Sequence, residues 1–212
     1  MNIWPKDPKN VNAAIIVAHP DDETIFCGGT LLSYPLWNWS VICVTAENDE
    51  RFNEFEKAIE IYKCLGVNIT RSCNLKKPDK NEPLSEEDRQ NWKESIEQLG
   101  LSPEIVFTHH KTGDYHVNHH IPLAKIVFEL FSGICSVWET VYPGNPDPHG
   151  INEYARGSKC HKVELTQDLL KQKKEIFDTS YVNQIERGIN TNNIPGIIEY
   201  EFIKGPEMFT SD

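Results

Sequence analysis

The sequence predicts an α/β fold, a Rossmann-like three-layer sandwich in which a mostly parallel sheet carries helices on both faces. Two observations support this prediction. Short apolar runs of strand length alternate with longer amphipathic segments of helical period. Glycines and polar clusters separate these segments and predict turns. Strands that alternate with helices pair in parallel, because each helix returns the chain to the same edge of the sheet.

The predicted elements follow one another in β-α-β order. Residues 12–18 form a continuous apolar run with turn residues directly after it, which indicates a buried strand. Residues 52–65 place apolar side chains three or four positions apart, as in an amphipathic helix that ends at Gly66. Ser85 and the acidic residues after it indicate a helix start. The remaining elements are helices at 23–36, 85–99 and 119–131 and strands at 40–46, 67–73, 104–108 and 134–142.

The chain changes character after Tyr142. Residues 143–159 are rich in proline, glycine and asparagine and predict a long loop over the ligand site. A charged amphipathic helix is predicted at 166–177, and residues 197–203 are a candidate edge strand. We therefore predict one domain of 212 residues, with a sheet core at 1–142 and a loop-rich C-terminal lid and helix region at 143–212.

Composition and charge narrow the classes of partner. A formal net charge of -11 repels phosphate backbones and anionic membranes, so nucleic acid is not an expected partner. No apolar run approaches the roughly 20 residues of a membrane helix, and the N-terminal residues lack the apolar core of a signal peptide. These features predict a cytoplasmic protein without a membrane span. Its six cysteines are expected to be structural thiols. Whether the chain forms a homo-oligomer is left open by the sequence.

Residues suited to metal binding follow the first and fourth predicted strands. His19, Asp21 and Asp22 come directly after the first, and five of the eight histidines lie in residues 109–120 after the fourth. The carboxyl ends of parallel strands share one edge of a sheet, so we expect the two segments to meet there. Two imidazoles and one carboxylate make a three-ligand zinc site with a position left for water. The alternative is an acidic helix cap beside surface or supporting histidines.

The two segments resemble the motifs of zinc-dependent N-acetylglucosaminyl deacetylases, the PIG-L or LmbE-like family. The family hallmark A-H-P-D-D-E after the first strand is present in full at residues 18–23. The later H-P-D-H motif appears as H-V-N-H at residues 116–119, with both histidines in place. The resemblance spans most of residues 12–131 and is loose in the C-terminal third.

The resemblance implies a role for each matching residue. His19, Asp22 and His119 would bind zinc, and iron(II) would suit the same ligands. Asp21 would be the general base, and His116 would act as the acid or electrophilic group. The implied reaction removes the N-acetyl group of an amino sugar, free or linked to a nucleotide or lipid, and releases acetate and a free amine. Zinc would supply a water with a pKa of roughly 7 and a polarised amide carbonyl.

One position departs from the family pattern. Asn118 stands where the family usually has a carboxylate that would orient His116 and favour its charged form. We expect either that Asp114 takes over this contact or that the pKa of His116 is lower here. Asp114 is also a candidate substrate-binding residue, together with Arg51 and Tyr142. For Arg51 the alternative is a surface pair with Glu47 or Glu54.

Two further functions stay open. One is a zinc amidohydrolase that acts on a non-sugar or conjugate amide. The other is a degenerate sugar-binding protein, to which Asn118 points, although a pure binder has no use for the base Asp21. Nicotinamide chemistry is rejected, because the turn after the first strand carries H-P-D-D instead of a glycine-rich G-x-G-x-x-G.

Overall fold

The computed structural model describes residues 10–46, 48–79, 83–111, 119–141, 159–183 and 207–211. Within these ranges the strands are β1 (Asn12–Val17), β2 (Asn38–Thr45), β3 (Ile69–Lys77), β4 (Ile105–Thr108), β5 (Ser136–Val141), β6 (Lys159–Val163) and β7 (Glu207–Ser211). The helices there are α1 (Asp22–Ser33), α2 (Asp49–Cys64), α3 (Glu86–Gln98), α4 (His120–Phe131) and α5 (Gln167–Ser180).

The strands form one sheet in the order β3-β2-β1-β4-β5-β7-β6. The strands β3, β2, β1, β4 and β5 pair with one another in parallel, whereas β7 runs antiparallel to both β5 and β6. The order of connection reverses between β1 and β4, which makes the gap between their carboxyl ends the topological switch point. Ligands of open α/β sheets bind in such a crevice. The predicted mostly parallel sheet is confirmed.

Two apolar cores lie on opposite faces of the sheet, because successive side chains of a strand point to opposite sides. In β1, Ile15 belongs to the core under α1, α2 and α5, and Ile16 belongs to the core under α3 and α4. Both side chains are completely buried, and burying each contributes roughly 1.5–3 kcal/mol. Helices therefore cover both faces, as predicted, and β1 is fixed from both sides.

Side-chain caps set the starts of three helices. Asn48, Ser85 and Thr166 each accept a hydrogen bond from a backbone N–H in the first turn of α2, α3 and α5. Such a cap contributes about 1 kcal/mol, and the cap predicted at Ser85 is confirmed. Helix α1 has no side-chain cap, and its start is instead part of the candidate site.

The C-terminal third adds two strands that the pattern analysis does not predict. Strands β6 and β7 are five residues each and mix charged with apolar side chains, so neither gives a clear period-2 signal. Strand β3 also extends to Lys77, past the predicted end at Cys73. The candidate edge strand at 197–203 lies outside the described residues, as does the loop predicted at 143–159 except for its last residue, Lys159, which begins β6.

Two other expectations concern cysteines and membranes. Among the described residues, five cysteines are free thiols: Cys27, Cys43, Cys64, Cys73 and Cys135. In the same parts of the chain, every helix is too short or too polar to cross a membrane.

Candidate metal centre and general base

The turn between β1 and α1 carries the first motif in a strained backbone. Asp21 has φ 118° and ψ -31°, a positive φ that side chains other than glycine rarely adopt. Its carbonyl oxygen accepts hydrogen bonds from the N–H groups of Thr24 and Ile25, so the strained residue also starts α1. Such a conformation costs about 1–3 kcal/mol and persists only where neighbouring contacts hold it.

Glu23 supplies one of those contacts from inside the protein. Its side chain is fully buried, and its Oε2 accepts a hydrogen bond from the backbone N–H of Asp21 at 3.2 Å. Its Oε1 accepts the hydroxyl protons of Thr24 and Tyr181. Burial raises the pKa of Glu23, although these donors oppose the shift. The last residue of A-H-P-D-D-E therefore holds the backbone of the residue two positions before it.

Three donor atoms form an inner cluster at the carboxyl ends of β1 and β4. His19 Nδ1 lies 3.1 Å from His120 Nε2 and 3.2 Å from Asp22 Oδ2, and the last two atoms are 3.4 Å apart. Zinc–nitrogen bonds of about 2.0–2.1 Å place neighbouring tetrahedral ligands roughly 3.3 Å apart. The three edges of the inner cluster therefore fit one face of a zinc tetrahedron.

A second group, the outer cluster, uses the other ring nitrogen of His19. His19 Nε2 lies 3.1 Å from His119 Nδ1 and 3.6 Å from Asp79 Oδ1, and Asp79 Oδ1 is 3.1 Å from His119 Nδ1. The three predicted ligands are thus brought into one histidine-rich group. Asp22 and His119, however, contact opposite nitrogens of His19, and His120 takes the place beside Asp22.

The remaining described histidines of the run, His109 and His110, are both buried. His109 is fully buried, and its Nε2 accepts the backbone N–H of Ala18 at 2.9 Å while its ring stacks on His120 at a centroid distance of 3.6 Å. His110 is also buried, with Nε2 3.6 Å from Glu139 Oε2. The sequence predicts supporting or surface positions for His109, His110 and His120, and the structure excludes the surface position, because all three are at most 3% exposed.

Charges in the two clusters shift several pKa values. Burial raises the pKa of Asp21 to about 7, and the nearby Arg51 only partly opposes this. Burial alone would raise the pKa of Asp22 too, but His120 and His109 outweigh it and hold that pKa well below its usual range. Burial lowers the pKa of His19, yet hydrogen bonds to Asp22 and Asp79 raise it overall to about 9. Metal binding at His19 must therefore displace a proton.

The side chain of Arg51 is buried in contact with Asp21. Its guanidinium nitrogens are 3.5 Å from Asp21 Oδ2 and 3.5 Å from Glu54 Oε2, and the side chain is 8% exposed. The pair with Glu54 thus forms, but it is buried and is not a surface pair. The structure gives Arg51 the predicted base Asp21 as a partner, a contact that spacing along the chain does not reveal. A substrate-binding role for Arg51 stays a prediction.

Several predicted site residues lie outside the described parts of the chain: Asp114, His116, Asn118 and Tyr142. Their roles therefore stay predictions. These are the acid role of His116, the contact of Asp114 with His116 in place of the missing carboxylate, and the substrate contacts of Asp114 and Tyr142. The sequence patterns assign no role to three residues that contact the site: Asp79, Glu23 and Tyr181. They also do not predict that His120 lies beside Asp22 and His19 in the position of a metal ligand. Of these, Glu23 and His120 stand inside or beside the recognised motifs, whereas Asp79 and Tyr181 carry no local signal.

Comparison with known families decides the relationship of the chain. Residues 14–131, more than half of the 212 residues, match the model of the PIG-L family, described as GlcNAc-PI de-N-acetylase. The chain belongs to the PIG-L family. The match includes both motif segments and ends with α4, so the resemblance seen in the sequence is confirmed. No curated protein matches this PIG-L chain in sequence.

Solved structures share the fold of this PIG-L protein over nearly its whole length. The zinc-inhibited form of teicoplanin deacetylase Orf2 is 13% identical with a TM-score of 0.63, and covers 93% of this chain and 96% of its own. N,N'-diacetylchitobiose deacetylase from Pyrococcus horikoshii is 15% identical with a TM-score of 0.51, covering 94% and 83%. GalB, the 4-carboxy-2-hydroxymuconate hydratase from Pseudomonas putida KT2440, is 15% identical with a TM-score of 0.56, covering 94% and 95%. At these identities the likeness shows the fold alone.

Proposed function

We propose that this PIG-L protein is a zinc-dependent N-deacetylase that removes the acetyl group of an amino sugar, free or carried on a nucleotide or lipid. One observation carries the proposal. The inner cluster of His19, Asp22 and His120 has tetrahedral ligand spacing at the switch point, and the buried carboxyl group of Asp21 interacts electrostatically with Asp22 and His19. Family membership and the sugar substrate named for the chitobiose deacetylase support the choice of an N-acetyl sugar.

The donor set fits a divalent ion of the zinc or iron(II) type. Imidazole nitrogens and one carboxylate oxygen are ligands that both metals accept. The resemblance assigns the third position to His119, whereas the spacing favours His120, whose Nε2 lies beside Asp22 Oδ2. We propose His19, Asp22 and His120 as the ligand set in this chain, with the set containing His119 as the competing prediction.

The chain's own residues would carry the proton transfers. When bound, the ion supplies a polarised amide carbonyl and a water of lowered pKa. The carboxylate of Asp21 would take a proton from the attacking water and later return it to the leaving amine, which must be protonated to depart. In the metal-free protein burial raises the pKa of Asp21 to about 7, and the charge of a bound divalent ion would lower it again. Arg51 would hold this carboxylate in place through Asp21 Oδ2. His116 remains the predicted acid or oxyanion-stabilising group.

The test is acetate release from a panel of N-acetylhexosamines, free and linked to nucleotides or lipids, by metal-stripped protein with and without added zinc or iron(II). We expect release only with metal, and a loss of about 10²–10⁴-fold in the Asp21→Asn variant. The variant should keep its metal, because Asp21 is not in the proposed ligand set. Absence of acetate from every N-acetyl sugar by metal-loaded protein would exclude the sugar deacetylase.

A second candidate is hydrolysis of an amide in a larger conjugate. The observation in its favour is the fold shared with a deacetylase named for teicoplanin, an antibiotic, and with a hydratase, since one scaffold hosts several chemistries. The same assay run on acylated antibiotic and thiol conjugates separates the candidates. Binding of an N-acetyl sugar without turnover, in protein shown to hold one metal ion, would instead support the degenerate sugar-binding alternative.

A further inference from the structure

Asp79 is a carboxylate at the site that neither motif contains. It follows β3 by two residues, and its side chain is 28% exposed at the same sheet edge as the inner cluster. Its Oδ1 lies within hydrogen-bond distance of His119 Nδ1 at 3.1 Å, and 3.6 Å from His19 Nε2. A carboxylate from a third strand thus reaches the two histidines that follow β1 and β4.

The chemistry of imidazole gives this contact a consequence. A neutral histidine has one ring nitrogen with a proton and one with a lone pair. His19 can bind an ion at Nδ1, beside Asp22 and His120, only if its proton sits on Nε2. That N–H points toward the outer cluster, where an ionised carboxylate accepts protons and donates none. Histidines that bind metals commonly donate their other N–H to a carboxylate in this way.

The neighbouring histidine strengthens the argument. His19 Nε2 and His119 Nδ1 are only 3.1 Å apart. If both nitrogens carry protons, the two N–H groups cannot point at each other, so at least one must be directed to another acceptor. Asp79 Oδ1 is the third corner of that triangle. With both protons directed to Asp79, the lone pair of His19 is on Nδ1, where the inner cluster needs it.

We propose that Asp79 is a positioning residue that fixes the tautomers of His19 and His119 and so presents His19 Nδ1 to the metal ion. This inference rests on the proposed function. It assigns Asp79 no contact with the ion or the substrate. Removing the acceptor would leave His19 free to carry its proton on Nδ1, which cannot then bind the ion. Metal affinity would fall while the ligand set stayed the same.

The experiment compares the full chain with Asp79→Ala and Asp79→Asn. Zinc affinity is measured by competition with a chelator, and cobalt(II) replaces zinc to report coordination through its visible absorption spectrum. We expect Asp79→Ala to weaken zinc binding about 10–100-fold. Asp79→Asn should weaken it less, because its amide oxygen still accepts a hydrogen bond. In both variants the cobalt spectrum at saturation should match the unmodified protein.

Asp49→Ala is the matched control. Asp49 lies at the start of α2, is 95% exposed, and is 3.9 Å from Lys76 Nζ and not in either cluster. Its removal should leave zinc affinity unchanged. Far-UV circular dichroism of the metal-free variants reports whether the fold is kept, and Asp79→Asn provides the measurement should Asp79→Ala fail to fold.

Three outcomes would overturn the inference, and they separate it from the proposed function. If the unmodified protein binds no divalent metal, both fail together. If it binds zinc and both Asp79 variants bind equally well, only the role of Asp79 fails. If the cobalt spectrum of Asp79→Ala changes in intensity and position, Asp79 is itself a ligand and not a positioning residue. Weakened binding with an unchanged spectrum supports the inference.

Discussion

His19 links the two clusters of the candidate site, because its two ring nitrogens face different partners. Nδ1 meets Asp22 and His120, and Nε2 meets His119 and Asp79. The two adjacent histidines at the start of α4 are therefore not equivalent, and the structure separates them differently from the sequence motif, which implies metal binding by His119 and gives His120 no role. A pair of alanine variants can tell which of them completes the ligand set.

We expect His120→Ala to lose most bound zinc and His119→Ala to keep one ion per chain at reduced affinity. The reason is that His120 Nε2 belongs to the inner cluster with Asp22, whereas His119 Nδ1 faces Asp79. Metal content after dialysis, measured by atomic absorption, checks the prediction. The reverse pattern, with zinc lost only in His119→Ala, would restore the ligand set implied by the family motif.

Asp21 combines a strained backbone with a carboxyl group of raised pKa. In the metal-free protein its pKa of about 7 exceeds the ordinary value of 3.8. The folded state then binds a proton more tightly than the unfolded state, so the group favours folding least once pH has risen above 7. Removing this charge should therefore raise the free energy of unfolding, and the gain should increase over the pH range in which Asp21 ionises.

We expect metal-free Asp21→Asn to be more stable than the unmodified protein by an amount that grows from pH 4 to pH 7 and then levels off. The difference at pH 8 should be on the order of a few kcal/mol, since each unit of pKa shift corresponds to about 1.4 kcal/mol. Urea unfolding of both proteins across this pH range measures it. A difference that shrinks as pH rises would show that Asp21 is ionised at low pH in the folded state.

At the scale of elements, the end of α5 reaches the base through a chain of hydrogen bonds. The hydroxyl of Tyr181 donates to Glu23, and Glu23 accepts the backbone N–H of Asp21. Helix α5 also packs on α1 and α2 in the same core. Tyr181, at the end of α5, thus stabilises the turn that carries the proposed base Asp21.

Tyr181→Phe tests this support. We expect a loss of about 1.5–3 kcal/mol in the free energy of unfolding, because a hydrogen bond to a buried carboxylate is removed. We also expect a several-fold fall in kcat with KM and zinc content unchanged. Tyr62→Phe is the comparison, since Tyr62 is equally buried and its hydroxyl donates to Thr24, one hydrogen bond further from Glu23. Equal falls in kcat for both variants would show a general packing effect.

The elements differ in how far the sequence predicts them. Strands β1, β2 and β4 are continuous apolar runs, and α2 and α3 have a clear helical period, so pattern alone places them within a few residues. Strands β6 and β7 form by pairing with strands distant in the sequence, and their own residues give no local pattern that predicts a strand. The same limit applies to the site. The motifs predict His19 and Asp22, whereas Asp79 and Tyr181 reach the site only through the tertiary fold.

At the scale of the whole molecule, the site joins segments that follow β1, β3 and β4 at one edge of the sheet. The acidic chain, with net charge -11, concentrates carboxylates and imidazoles there. A bound divalent ion would offset the repulsion among Asp21, Asp22 and Asp79 and link these segments. Metal should therefore stabilise the entire domain as well as supply chemistry.

We expect zinc at 100 times its dissociation constant to stabilise the fold by about 2.7 kcal/mol, which corresponds to a rise in Tm of roughly 5–10 °C for a domain of this size. Differential scanning calorimetry with and without zinc measures the shift, and magnesium serves as the control ion because it prefers oxygen ligands. An identical Tm with zinc and with magnesium would argue against a nitrogen-rich metal centre.

The hydrogen bond from the N–H of Ala18 to His109 ties together residues 91 positions apart in the chain. Contacts between residues far apart in the sequence form more slowly than local helical contacts, because the entropy of closing the loop is lost before the contact stabilises the protein. During refolding, helical content should therefore appear before the protein can capture a metal ion. The rate of zinc binding would then report when β4 pairs with β1, which we expect to be one of the last steps in folding of the domain.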